Sequence, residues 1–400
     1  MGRRRWWPGA FDSSKRRREE RAAAEAPAFA HVALVVGSTD DVGAALLDVL
    51  LGPDAPAGPW KVYALSQRAL LPSSASAEAS SSSNRSTVIR LHVDLADSAA
   101  VAQVLAPLTD ITHVFYTGWT PFPGSTEAEA REANCGMLRK VLSAVVPNCP
   151  ALAHVCLQTG RRPLMGVHAA ARPQREDLPR LDYPHLEDAL LDELADSDGA
   201  AITWSVHRPS TIFGLSPRST RNVAAGLCAY AAICGEEGVT LRWPGSREAW
   251  EGVIDPSDAE LVAEHALWAA LDPDGKTNAF NSTKGNVFKW KELCPMLAMH
   301  FQLEWSGYDG ESKRFKLVEA MAGKEDVWAQ IVEEKKLAGT GLDNITTWWL
   351  VDAVINIDKE HLSTMTKDKD HGLFGFWNVV RFFWNIVISV MPSEVCFISF

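Results

Sequence analysis

Apolar residues recur along the first half of the chain in short, evenly spaced runs. His31–Val36 (HVALVV) is β-branched and lacks polar alternation, the pattern of a strand buried on both faces of a parallel sheet. Similar runs predict strands at Trp60–Leu65 (WKVYAL), Val88–Val93, Thr112–Thr117 (THVFYT), Ala153–Gln158 (AHVCLQ) and Ile202–His207 (ITWSVH). Between them, helical patterns cover Gly43–Leu50, Ser98–Leu105 and Glu127–Val146. Strands alternating with helices at this spacing predict an α/β fold with a doubly wound parallel sheet of Rossmann type. A serine-rich stretch, Ser73–Ser86, reads as a surface loop. From about Pro209 the chain is more helical, richer in Trp and without strand alternation, which predicts a substrate-side cap sharing the core. The expected divisions are a basic arm (1–30), a dinucleotide-binding domain (31–208), a cap region (209–375) and a divergent hydrophobic tail (376–400).

Composition narrows the function classes. The 400 residues are 46% apolar and 22% charged, an ordinary globular balance. The formal net charge is −11, unevenly spread. The first 21 residues hold eight of the 39 Lys/Arg and three of the 50 Asp/Glu. The rest is strongly acidic, which argues against nucleic acid as a partner, because phosphate backbones require a positive surface. Seven cysteines, an odd number with no CxxC pair, argue against structural zinc or a disulfide framework and point to free thiols in a reducing, cytoplasmic setting. No metal is expected. The basic start lacks the apolar core of a secretory signal. The tail from Leu373 to Phe400 is apolar but broken by Arg381 and Pro392, short of the roughly 20 residues of a spanning helix. It reads first as a docked helix, then as a peripheral membrane contact, then as an aberrant chain end.

The first strand is followed by Gly37-Ser38-Thr39-Asp40-Asp41-Val42-Gly43. Its outer glycines fit a GxxGxxG loop that brings backbone close to a pyrophosphate at a helix N-terminus. Asp40 stands where the middle glycine belongs. On sequence grounds its charge opposes phosphate, so Asp40→Gly is expected to tighten dinucleotide binding. The second strand ends at Ser66-Gln67-Arg68 without the acid that favours NAD. Arg68 is placed to pair with a 2′-phosphate, which points to NADPH, and Asp94 and Leu95 follow the third strand where an adenine contact is expected. Thr39, Val42, Gln67, Thr117, Trp119 and Gln158 complete the cofactor-binding candidates.

Several segments carry a resemblance to a known family. They are APLTDITHVFYTGWT (Ala106–Thr120), CLQTG (Cys156–Gly160), EDLPRL (Glu176–Leu181), TWSVHRPSTIFGLSP (Thr203–Pro217), YAAIC (Tyr230–Cys234) and NVFKWK (Asn286–Lys291). From about Trp6 to Gly375 the chain resembles the plant progesterone 5β-reductase/iridoid synthase-like enzymes, atypical extended short-chain dehydrogenases. The resemblance implies NADPH and 1,4-reduction of the activated C=C bond of small enones, steroid or monoterpenoid in type, and suggests a homodimer. Holding the developing enolate oxygen is then the main demand on the protein. Anchoring on Leu186-Glu187-Asp188 places Tyr183 at the family's catalytic tyrosine, in a segment shorter than the family's. Arg162 falls where the family has a lysine after its QTG segment; the two cations differ in shape and direction. Trp119 and Phe213 match positions near the substrate. His185 is expected to be exposed.

No Tyr-xxx-Lys pair occurs in the chain, which disfavours a nucleotide-sugar epimerase or dehydratase. Two readings stay open: an enone reductase using Tyr183 and Arg162, and a weakly active or inactive nucleotide-binding relative, favoured by Asp40, Gln67, Arg162 and the short tyrosine segment.

Overall fold

The computed structural model describes residues 29–68, 86–120, 122, 124–160, 173–177, 185–195, 202–214, 216, 218–283, 287–337, 341–358, 360 and 362–372. The basic arm up to residue 28, residues 73–85 of the serine-rich stretch and the tail from Leu373 lie outside this set.

Seven strands form one parallel sheet. They are β1 (His31–Val36), β2 (Trp60–Ser66), β3 (Thr87–His92), β4 (His113–Tyr116), β5 (His154–Gln158), β6 (Thr203–Arg208) and β7 (Asn278–Asn281). Their order is β7-β6-β5-β4-β1-β2-β3. This is the expected doubly wound Rossmann-type architecture. The central strands are buried almost throughout, as continuous apolar runs require. Edge strand β3 (TVIRLH) has no buried residue and breaks the apolar run with Arg90 and His92.

Helices cover both faces. Helices α2 (Ser98–Leu105), α3 (Glu127–Val145) and α4 (Leu186–Ala195) pack on one side through Val101, Leu138, Leu142 and Leu190. On the other side α1 (Asp41–Leu51) meets α6 (Ala259–Leu271) through Leu46, Leu50, Val262 and Ala266. The remaining core belongs to the cap, where α5 (Val223–Glu236) is buried over most of its length among Trp243, Trp290 and Trp348. That all-round burial explains why α5 shows no amphipathic stripe.

One sequence expectation needs adjusting. The chain does not leave the sheet for good at residue 208: α6 and β7, both beyond Pro209, return to complete it. The seventh strand is short, lies at an edge, and reads Asn-Ala-Phe-Asn. Only Phe280 carries a strong apolar signal. Among the described residues no helix is long and apolar enough to cross a membrane, and six free cysteines are found.

Behind β5 and β6 the core is polar. His154 Nε2 meets Ser205 Oγ at 3.0 Å, Ser205 Oγ meets His207 Nε2 at 3.2 Å, and Ser282 Oγ lies 3.3 Å from His207 Nδ1 and 3.2 Å from His265 Nδ1. Burial holds these imidazoles neutral, with His207 pushed down to about 3. The row ends at Asp368, whose carboxylate lies 3.7 Å from His265 Nε2. Neither Asp368 oxygen has a hydrogen-bond partner among the described residues. Burial, with Glu176 nearby, raises its carboxyl to about 8 against the pull of Lys367 and Lys369. The folded chain therefore keeps this proton where the unfolded chain has released it. The resulting cost grows as pH rises from about 4 and levels off above about 8. Asp368→Asn removes that cost. The variant's unfolding free energy is expected to exceed wild type at pH 9 by a margin on the order of a few kcal/mol, read as a higher thermal midpoint, and the gap should narrow toward pH 5. Parallel curves for the two proteins would contradict the assignment.

Candidate active site

The glycine turn after β1 is built by close approach. Gly37 has φ +88°, and a Cβ there would lie 2.7 Å from the backbone nitrogen of Gly118. A Cβ on Gly43 would lie 2.1 Å from the carbonyl oxygen of Gly37. No larger residue fits either place. The turn is tied to the sheet by the amides of Gly37 and Ser38, which both donate to Leu65 O at 3.0 and 3.1 Å. Helix α1 then starts at Asp41, with no side chain capping its N-terminal amides. An uncapped helix start behind a tight glycine turn suits a pyrophosphate.

A segment of the cap, Ser216–Asn222, lies against this turn. Ser216 Oγ donates to Thr39 O at 2.7 Å, Ser219 Oγ donates to Asp41 Oδ2 at 2.9 Å, and Asn222 Nδ2 donates to Gly214 O at 2.8 Å. Burial pushes the Asp41 carboxyl up to about 7, while the Ser219 hydrogen bond favours the charged form. Arg221 Nη2 donates to Asp40 Oδ2 at 2.8 Å. Arg68, expected at a 2′-phosphate, donates to Arg218 O and Thr220 Oγ1. Burial and the nearby Arg68 and Arg90 lower the Arg218 guanidinium pKa. Three cations are thus gathered at the end of β2 and β3, a place that favours an anion.

A cavity of about 710 Å³ opens beside the turn, within the size range of small-molecule and cofactor sites. It lies at the carboxyl ends of β4 and β5, where ligands bind in open parallel sheets. Thr117, Gln158 and Thr159, at the ends of β4 and β5, form its floor, Val42 and Trp119 line it beside the glycine turn, and Trp349, Leu350 and Val354 of α7 (Trp348–Ile355) give it an apolar wall. Gln158 Oε1 and Thr159 Oγ1 are buried without hydrogen-bond partners among the described residues. Unsatisfied buried polar atoms in a cavity wall are positions a ligand would complete.

The structure brings Gly37, Thr39, Asp40, Val42, Gly43, Thr117, Trp119 and Gln158 together around the turn and cavity. Gln67 Nε2 donates to Thr120 Oγ1 at 2.7 Å. Asp94 is exposed and accepts from Ala96 N at 2.9 Å, whereas the Leu95 side chain is core. Phe213 is not brought to the cavity: it is buried against Phe288 and Trp290 inside the cap. His185 corrects the expectation of exposure. It is 5% exposed, lines the cavity, and its carbonyl accepts from Asp188 N and Ala189 N at the start of α4. Tyr183, Arg161 and Arg162 lie outside the described residues.

The overall match decides the family. Residues 33–367 match the PRISE-like Rossmann-fold domain. The chain belongs to that family. It is 44% identical to an (S)-8-oxocitronellyl enol synthase of Nepeta cataria, over 98% of this chain and 99% of that protein. It is 40% identical to a 3-oxo-Delta(4,5)-steroid 5-beta-reductase of Arabidopsis thaliana, over 93% and 94%. Among solved structures, Gre2 of Candida albicans in complex with NADPH superposes with a TM-score of 0.61 at 12% identity, covering 91% of this chain and 99% of that one. At that identity the likeness speaks for the fold. A Thermus thermophilus UDP-glucose 4-epimerase with NAD gives 0.56 at 15%, over 89% and 98%.

Within this family member, sequence reasoning passed over the ion pair that sets the start of α4. Arg208 Nε and Nη2 donate to the two oxygens of Glu187 at 2.8 and 2.6 Å, and both side chains are about 5% exposed. Arg208 Nη1 also donates to Glu176 O at 3.2 Å. The end of β6 is thereby locked to α4 and to the Gln174–Asp177 segment. The only signal was a charged residue closing an apolar strand. Removing one partner of a buried pair strands the other charge, so Arg208→Met is expected to cost about 3–5 kcal/mol. Urea unfolding would measure it; a midpoint equal to wild type would show that the pair is not what holds α4.

Proposed function

We propose that the protein catalyses NADPH-dependent 1,4-reduction of the activated C=C bond of an enone, of steroid or monoterpenoid type. The observation that carries this reading is the full-length likeness to an enol synthase and a steroid 5-beta-reductase, in a chain whose cavity sits beside a glycine turn. The nicotinamide cofactor, when bound, supplies a hydride to the β-carbon of the enone. The chain's own residues do the rest.

Gly37, Gly43 and the start of α1 would receive the pyrophosphate. The cluster of Arg68, Arg90 and Arg218 would favour a 2′-phosphate, which supports NADPH over NADH. Gln158 and Thr159, with unpaired polar atoms in the cavity floor, would orient the reacting end of the cofactor or the substrate. The apolar wall of Trp349, Leu350 and Val354 suits a hydrocarbon skeleton and excludes water from the reaction.

Negative charge develops on the carbonyl oxygen as hydride arrives, and a donor aimed at that oxygen lowers the barrier. Tyr183 is assigned that role, with Arg162 in electrostatic support. Tyr183 stands two residues before His185, which lines the cavity. Two further readings, a weakly active relative and a sugar epimerase, are less favoured; the missing Tyr-xxx-Lys pair counts against the latter.

Titration by protein fluorescence should give NADPH at least about tenfold tighter binding than NADH, the effect of one charge-assisted contact. Adding 2-cyclohexen-1-one should then consume the nicotinamide absorbance. Tyr183→Phe should lower kcat about 10²–10³-fold while leaving NADPH affinity unchanged. Binding without turnover of enones would leave a nucleotide-binding relative as the correct description.

A further inference from the structure

Asp40 occupies the middle glycine's place in the loop, yet its backbone is extended, with φ −77° and ψ 165°. Nothing in that conformation calls for glycine. Its carboxylate caps no amide of α1. Instead it turns to the cap and accepts from Arg221 Nη2 at 2.8 Å, with both side chains largely buried, at 14% and 20% exposure. Acid and base thus meet at the mouth of the loop.

Arg221 is held from several sides. Its backbone amide donates to Ser219 Oγ at 3.2 Å, and it forms a β-bridge with Thr346. Ser219 is in turn fixed to Asp41. The guanidinium borders the cavity, together with Asp41 and Val42 at the start of α1. Its Nε is buried and has no hydrogen-bond partner among the described residues. A guanidinium offers five N–H donors in a rigid fork, matched to carboxylate or phosphate. Here one arm is taken by Asp40 and another is left without a partner.

We propose that Asp40 and Arg221 work as one unit in cofactor binding: Asp40 is a positioning residue that aims the Arg221 guanidinium at the pyrophosphate of the dinucleotide. The inference rests on the nicotinamide-dinucleotide reading above. It reverses the expectation drawn from sequence, because the acid no longer faces phosphate as a bare charge. Together the pair is neutral, and its cationic half keeps a donor, Nε, without a partner among the described residues. The acid in the loop is the anchor of a phosphate contact supplied by the cap.

The test is a double-mutant cycle on NADPH affinity, read by quenching of protein fluorescence, with ligand-free thermal midpoints measured alongside. Wild type, Arg221→Gln, Asp40→Gly and the double variant form the cycle, and Arg221→Lys keeps the charge while removing the fork. Arg221→Gln should weaken NADPH about tenfold or more, the effect of losing a charge-assisted contact and leaving Asp40 unpaired. Asp40→Gly should weaken it severalfold. The double variant should bind no worse than Arg221→Gln alone, the mark of two residues acting together. Arg221→Lys should fall between wild type and Arg221→Gln. The steepness with which added salt weakens binding should also drop in Arg221→Gln, which a purely structural ion pair would not change. Tighter binding by Asp40→Gly, or unchanged affinity in Arg221→Gln at an unchanged thermal midpoint, overturns the proposal. If a cycle member is unstable, Asp40→Asn and Arg221→Lys provide the same comparison. A wild-type protein that binds neither NADPH nor NADH overturns the cofactor reading as well; wild-type binding with indifferent variants overturns the pair alone.

Discussion

The site depends on a buried bidentate ion pair. Arg208 closes β6, and Glu187 lies in the first turn of α4; the two meet at 2.8 and 2.6 Å inside the protein. Two charges removed from water are tolerated only when each satisfies the other, and misplacing either leaves a strong uncompensated penalty. The pair therefore fixes α4 against the end of the sheet with little freedom. His185 and Leu186, immediately before Glu187, are held at the cavity as a consequence. Glu176 joins the same arrangement through its carbonyl, accepting from Arg208, while its carboxylate accepts from Asn281 N of β7 at 3.0 Å. One guanidinium thus coordinates the rim of the cavity with the edge of the sheet.

A second set of polar contacts joins the cap to the dinucleotide half. Ser216, Ser219 and Arg221 hold Thr39, Asp41 and Asp40 in turn, and Arg68 holds Arg218 and Thr220. A phosphate loop in a Rossmann fold is ordinarily open on one side, so that a ligand can enter. Here the segment that packs on the glycine turn comes from beyond residue 209 and touches both the turn, at Thr39, Asp40 and Asp41, and Arg68 after β2. On the proposed reading, binding and the position of this segment are coupled, because an anion entering at the loop would meet its groups as well as those of the sheet.

Much of this was legible in the sequence, for identifiable reasons. Strands β1, β2, β4 and β5 are central and buried on both faces, so their apolar runs stand out without interruption. β7 escaped notice because it is a four-residue edge strand whose two asparagines turn to polar work: Asn281 Nδ2 donates to Gln174 O and Thr364 O. The glycine turn was readable because only glycine survives the approaches at Gly37 and Gly43. Local chemistry with distant partners was not. Asp40 looked like damage since its partner, Arg221, is 181 residues away, and the Glu187–Arg208 pair was passed over since the two residues meet only in the fold. His185 misled in the same way: polarity suggested solvent, whereas its burial is set by the start of α4. Phe213 matched a family position near the substrate, but the aromatic packing of the cap claims it.

The charge distribution follows from the same logic. If an acidic chain is to bind a polyanionic cofactor, as proposed above, its cations have to be concentrated where phosphates arrive. Arg68, Arg90 and Arg218 gather near the ends of β2 and β3, and Arg221 stands beside the glycine turn at Asp40; on the reading proposed above, this arrangement meets that need without altering the overall balance. Holding guanidinium groups out of water and near one another is itself costly: burial first, and then Arg68 and Arg90, lower the Arg218 pKa. That cost is offset where a backbone carbonyl, a hydroxyl and an acid take some of the donors: Arg218 O and Thr220 Oγ1 for Arg68, and Asp40 for Arg221. On the proposed reading, an acid in the loop is compatible with phosphate binding, because Asp40 pairs with one arm of the Arg221 guanidinium while its Nε keeps no partner among the described residues. The net charge of the chain thus says little about the potential at the loop; the pairing of individual charges decides it.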